Sequence, residues 1–134
     1  MKFARYSFAI AAILGIVSLV PLYFQEDKVG TDSPPAITHP EFFYGFIGVA
    51  LAFQVVFLII ASDPIRYRPM MLASVVEKFS WGITVLVLVL QERLSGTLVA
   101  AGAFDSILGV LFLLSYLKTA DYNAAVEPAN DLEH

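Results

Sequence analysis

Four long apolar stretches, separated by short connectors rich in charge, proline and glycine, govern what this chain can become. They run from about Phe3 to Phe24, Glu41 to Ser62, Pro69 to Leu90 and Ser95 to Lys118. A bilayer hydrocarbon core ~30 Å thick is crossed by about 20 predominantly apolar residues in a helix. A helix is suited to that solvent because it satisfies its own backbone hydrogen bonds. Short connectors force successive spans to alternate in direction. The expected fold is all-α: a polytopic membrane protein built as an antiparallel four-helix transmembrane bundle over residues 1–120. A short polar cytoplasmic tail is expected at 121–131. The closing "LEH", residues 132–134, reads as a tag remnant and carries no functional weight.

Composition agrees. Hydrophobic residues make up 58% of the 134 and charged residues 15%, with a mean hydropathy of +0.75. Soluble domains carry about 25% charged residues, so the excess apolar surface needs a partner other than water. A net charge of -4 leaves no basic patch for nucleic acid. The absence of cysteine removes disulfides, thiolate metal sites and cysteine nucleophiles. The first stretch begins with Lys2 and Arg5, as a signal peptide would. Its apolar run is too long for one, and "PLYFQEDK" has no small-residue cleavage site, so it reads as a retained span.

Basic residues set the expected orientation. Lys2, Arg5, Arg66, Arg68 and Lys118 fall on one side of four spans, against Lys28 and Arg93 on the other. Positive charge favours the cytoplasmic side, so both termini are expected inside a bacterial inner membrane. Pro40 and Pro69 sit where helix starts tolerate a missing N–H, and Pro21 should bend or end the first span. In "DPIRYRP", Asp63 can cap an N–H or pair with Arg66 or Arg68, and the two arginines suit anionic lipid headgroups.

The spans are not uniformly apolar. "SVVEKFSWG" places Glu77 and Lys78 roughly 12 Å below the cytoplasmic end of the third span, at ~1.5 Å per residue. Gln54 lies at roughly the same depth in the second span, and Asp105 is roughly 18 Å from Leu117 in the fourth. Three spans thus bring polar side chains to one half of the bilayer. Ionised groups there cost about 2.5–3.5 kcal/mol on insertion scales and so face the bundle interior or a cavity. Ser74, Glu77, Trp81 and Thr84 share a helical face, which is expected to point inward. Lys78 has a stem long enough to snorkel toward the headgroups, which Glu77 lacks. Gly102, Asp105, Ser106 and Gly109 in span four, and Gly45, Gly48 and Ala52 in span two, read as small-residue contact edges.

Two readings of Gln54, Glu77, Lys78 and Asp105 stand side by side. They form a buried network that sets helix register, or they line a cavity that takes a headgroup, a small polar ligand or a proton. Trp81 is either a packing residue or a ligand clamp. A metal site is not expected: His39 beside Glu41 is the sole pairing, since His134 belongs to the tag-like end. HExxH, P-loop and GxSxG patterns are missing, as are in-span histidine pairs for haem. "ILGIVSLV" lacks the first-span carboxylate of small multidrug exporters. "QERLSGTLV" has the Glu-Arg pair of the glutathione-metabolising four-span enzymes but no following Asn and acid. No catalytic residue and no cofactor is assigned.

The short length, "DPIRYRP" with "VVEKFSWG", and "AGAFDSILGVLFLLSY" together resemble the small bacterial four-helix membrane proteins grouped as DoxX-like. The resemblance covers the plan of residues 1–118. It implies an inner-membrane protein that is a subunit or partner of a redox or stress-response system. The leading expectation is a binding or accessory protein that holds a lipid-like or quinone-like ligand, or a partner helix, near Gln54, Glu77, Lys78, Trp81 and Asp105. Membrane lipids, a second copy or another membrane protein are the expected partners. A small oligomeric transporter or proton-coupled channel is one alternative. A membrane enzyme using Glu77 or Asp105 as acid or base is another.

Overall fold

The computed structural model describes residues 1–122, so the expected tail at 123–131 and the tag-like 132–134 lie outside the described residues. The described residues form five α-helices: α1 Lys2–Leu19, α2 Glu26–Asp32, α3 Pro40–Ser62, α4 Arg68–Leu90 and α5 Thr97–Lys118. All but α2 are long and apolar enough to cross a membrane. Apart from α1, whose α-helical part stops at Leu19 and is carried to Phe24 by a 3-10 turn, the observed starts and ends fall within two residues of the expected ones. Helical geometry resumes after Thr119 and runs to Tyr122, so residues 121 and 122 extend α5.

Helix boundaries follow local chemistry. Pro21 ends α1, and Val20–Phe24 continue as a 3-10 turn. Pro40 and Pro69 occupy the first turns of α3 and α4. Asp63 Oδ1 accepts the backbone N–H of Arg66 at 3.1 Å, closing the tight α3–α4 connection. After α4, Glu92 N–H reaches Val89 O at 2.9 Å and Arg93 N–H reaches Leu88 O at 2.8 Å. This Schellman pair puts Glu92 at φ 56, where glycine is usual. Helix α2 was not legible in the sequence, because seven residues carry too little periodicity. It has Glu26 and Asp27 in its first turn and a Lys28–Asp32 pair at 2.8 Å, and it is tied to α3 by Tyr44 Oη donating to Glu26 Oε2 at 2.8 Å.

The bundle forms as two close helix pairs. α4 packs most extensively on α5, and α1 on α3. The first pair is possible because Gly102 lies under Val85, Gly109 lies under Phe79 and the Cβ of Lys78, and Gly82 meets Ser106. The small-residue edge expected on α5 is therefore a real contact. The edge expected on α3 is not. Gly45 faces open space, Gly48 meets only the Tyr23 hydroxyl at 3.6 Å, and Ala52 is exposed. α3 instead turns Ile47, Ala50, Gln54, Phe57, Ile60 and Ala61 inward, since these larger groups share one face and fill the core.

The packed core sits in the half of the bundle that holds the basic ends. Phe8, Phe57 and Phe112, all fully buried, meet there with Ala4, Ala11, Ala12, Ile60 and Met71. Phe8 stacks on Phe112 at 4.0 Å, and Phe57 meets Phe112 edge-on at 4.9 Å. The basic residues at this end stitch helix termini together. Arg5 donates to Ser62 O at 3.3 Å, Arg68 donates to Tyr116 O at 3.2 and 3.3 Å while stacking on its ring, and Lys118 lies over Phe3. Outward faces are apolar, with Val17, Val49, Val76, Ile83 and Ile107 each about 60% exposed. Spanning helices clothed in hydrocarbon on every side define a multi-pass membrane protein.

Candidate functional site

Lys78 is the centre of the intramembrane cluster. It lies on the buried stripe of α4 with Met71, Ser74 and Val85 and is only 5% exposed. Its Nζ donates to Asp105 Oδ1 at 3.2 Å, approaches Glu77 Oε2 at 3.4 Å, and stands 5.4 Å from the Phe57 ring centre. Room for its stem comes from Gly109, whose missing side chain lets Lys78 lie against α5. Lys78, although long enough to snorkel, thus turns inward to the acids. Two carboxylates and an aromatic face hold the ammonium inward more effectively than the distant interface draws it out.

Glu77, one position around the helix, is half-buried rather than central. The inward face predicted for Ser74, Glu77, Trp81 and Thr84 holds only in part. Ser74 is buried, Glu77 and Trp81 are intermediate, and Thr84 is exposed. The helix is rotated because the α4–α5 contact through Gly82, Gly102 and Gly109 pulls Lys78 and Val85 to the seam.

Above the cluster lies a cavity of about 270 Å³ lined by all four spanning helices. α1 contributes Leu14, Gly15 and Ser18, α3 contributes Phe46, Ala50 and Gln54, and α4 contributes Glu77, Lys78 and Trp81. α5 contributes Ala101, Phe104, Asp105 and Leu108. Every residue that sequence reasoning selected in the membrane interior, Gln54, Glu77, Lys78, Trp81 and Asp105, therefore borders one space. The polar groups form its floor, and beneath them the Phe8, Phe57 and Phe112 rings close the bundle. Walls toward the opposite end are apolar. Leu14 and Phe104, which line the cavity from α1 and α5, are 44% and 46% exposed.

Gln54 is 2% exposed. Its Nε2 donates to Ala50 O at 2.9 Å, and its side-chain oxygen rests on the bare Cα of Gly15 without a hydrogen-bond donor. Glu77 Oε2 likewise has no hydrogen bond, although it is within ion-pair distance of Lys78. Glu77, Phe46, Ala50 and Trp81 also border a groove of about 550 Å³ between α3 and α4, so the Phe46–Trp81 ring pair, 5.6 Å apart, separates the two spaces.

Some site residues were missed in the sequence. Phe8, Phe57 and Phe112 each lie about six residues from the basic end of their helix, or ~9 Å at ~1.5 Å per residue. The depth argument that grouped the polar residues would have grouped these rings as well. Gly15 gave no signal beyond its small size. At the headgroup level, Arg68 is engaged by Tyr116, whereas the Arg66 side chain is exposed and lies near the Tyr67 ring. His39 pairs with Glu41 at 3.1 Å on the exposed mouth of α3, and the described residues hold no group of three or more metal-ligating side chains.

Fold and site together define a class: a four-span membrane protein with an apolar cavity seated on an ion-pair cluster. Comparison with protein-family models, with curated proteins and with solved structures returned no match to this chain.

Proposed function

We propose that this is a membrane-embedded binding or accessory protein that holds the head of a lipid-like or quinone-like molecule against Gln54, Glu77, Lys78 and Asp105. Its tail leaves between Leu14 and Phe104 into the bilayer. The observation that carries the reading is a cavity with apolar walls and a charged floor, a combination that a purely structural network does not require. At about 270 Å³ it is just below the ~300 Å³ at which ordinary ligand pockets begin, so it accommodates a head and the first part of a chain. The closed aromatic floor favours binding over conduction through a single chain.

In this reading the protein resides in a bacterial inner membrane with both termini cytoplasmic. Arg66 is exposed to meet anionic headgroups there, with Arg68 beside it on Tyr116, and the resemblance to the DoxX-like plan supports a redox or stress-response system as its partner. Native mass spectrometry of gently extracted protein tests the proposal. A retained small molecule is expected on the wild type and is expected to be lost in Ala101→Trp, which fills the cavity. A wild type that carries nothing, or an adduct that Ala101→Trp retains, refutes it.

A further inference from the structure

The cavity floor is short of hydrogen-bond donors. Its one cation, Lys78, is already drawn to Asp105 Oδ1 at 3.2 Å and Glu77 Oε2 at 3.4 Å. Two carboxylates against one ammonium leave the cluster with an excess of one formal negative charge. Lys78 hydrogen-bonds Asp105 through Oδ1 but stands only at ion-pair distance from Glu77 Oε2, which no donor reaches. Gln54, almost completely buried on the same cavity, spends its amide N–H on Ala50 O and keeps an oxygen that no donor reaches. The unmet oxygens of the floor all accept.

Whatever sits there must bring a proton to share and must not bring negative charge. A carbonyl or ester head can accept from the remaining N–H of Lys78 but leaves the carboxylate oxygens without a donor. A carboxylate adds a third anion to a site that already has two. An ammonium would satisfy the acids but stands close to Lys78. A hydroxyl donates its one proton to a carboxylate oxygen and can accept from the remaining N–H of Lys78, so it meets both signs of charge on the floor.

We propose that the cavity selects amphiphiles whose head is an uncharged hydrogen-bond donor, a hydroxyl, over carbonyl, ester or carboxylate heads on the same tail. This rests on reading the cavity as a binding site and sharpens it. Among lipids it selects free alcohols, and among quinone-like molecules it selects the reduced, dihydroxy form.

Trp81 is the only tryptophan in the chain and lines this cavity, so its fluorescence reads occupancy directly. The full chain is placed in zwitterionic lipid nanodiscs at neutral pH. Medium-chain amphiphiles brominated on the tail are then added with alcohol, amine, methyl ester or carboxylate heads. A second protein, Ile83→Trp in a Trp81→Phe background, reports quenching from the lipid side, because Ile83 is 59% exposed. The alcohol is expected to quench Trp81 at about tenfold lower concentration than the ester or carboxylate, the size of one hydrogen bond to a charged group. The lipid-side reporter is expected to show no such order.

In Asp105→Asn the alcohol preference should fall toward unity. Glu77→Gln carries the same expectation should that variant fail to fold. An amine that rivals the alcohol would show that excess negative charge outweighs repulsion from Lys78, and would overturn the hydroxyl assignment. An ester or carboxylate that equals the alcohol overturns it too, while leaving the binding reading intact. Quenching of Trp81 that never exceeds the lipid-side control overturns both.

Discussion

Lys78 is the residue on which most of the interior depends. It is held by two acids on neighbouring positions of α4 and α5, and those acids are in turn compensated by it. Removing one partner of a buried ion pair strands the other charge, at a cost of about 3–5 kcal/mol. Lys78→Met should therefore lower stability by about 3 kcal/mol in a detergent unfolding titration. The doubly neutralised Lys78→Met with Asp105→Leu should recover part of that loss. A single variant as stable as wild type would mean that Glu77 and Asp105 are solvated without Lys78. By the same logic Glu77→Ala should melt below Glu92→Ala, because Glu92 is exposed beyond the end of α4. The sequence disclosed which residue types lie at this depth, through simple counting along helices. It did not disclose that Lys78 lies deeper inside than Glu77, because adjacent positions are ~100° apart on a helix and the packing of small residues sets the rotation.

At the scale of elements, two close contacts and one turn carry distinct predictions. A side chain on Gly102 would press on Val85 with a Cβ contact of 2.6 Å, so Gly102→Val should split the α4–α5 pair. Overpacking of this kind costs about 1–3 kcal/mol, which a thermal melt in detergent would register. The Schellman turn after α4 offers the opposite case. Glu92 at φ 56 occupies a conformation that costs an L-residue about 1 kcal/mol, so Glu92→Gly should raise stability by about that amount. An unchanged melting temperature would show that Glu92 makes a compensating contact. Helix boundaries were largely readable from proline, charge and hydropathy. Helix α2 and the exposed Gly45–Gly48 edge were not, since both depend on what the first connector folds against.

The whole molecule divides into a packed half and a hollow half. Aromatic rings and alanines fill the end where the basic residues gather, and the cavity occupies the remainder. That asymmetry gives the bundle a packed end and a hollow end. The absence of cysteine makes orientation directly measurable. Arg66→Cys should be labelled by a membrane-impermeant thiol reagent only in inside-out vesicles, and Asp27→Cys only in intact spheroplasts. The reverse pattern would invert the proposed topology while leaving the bundle unchanged.

Hydropathy and spacing alone determined that the chain crosses a bilayer, how many times, where the helices begin, and which polar residues share a depth. These follow from one-dimensional quantities: the thickness of the hydrocarbon core and the rise of a helix. Only the tertiary structure decided which side of each helix faces the interior, that Gly109 opens space for the Lys78 stem, and that three phenylalanines from three helices pack into one core. Helices that are apolar all round carry little amphipathic signal, so their rotation is set by shape complementarity with neighbours and not by an aversion to water.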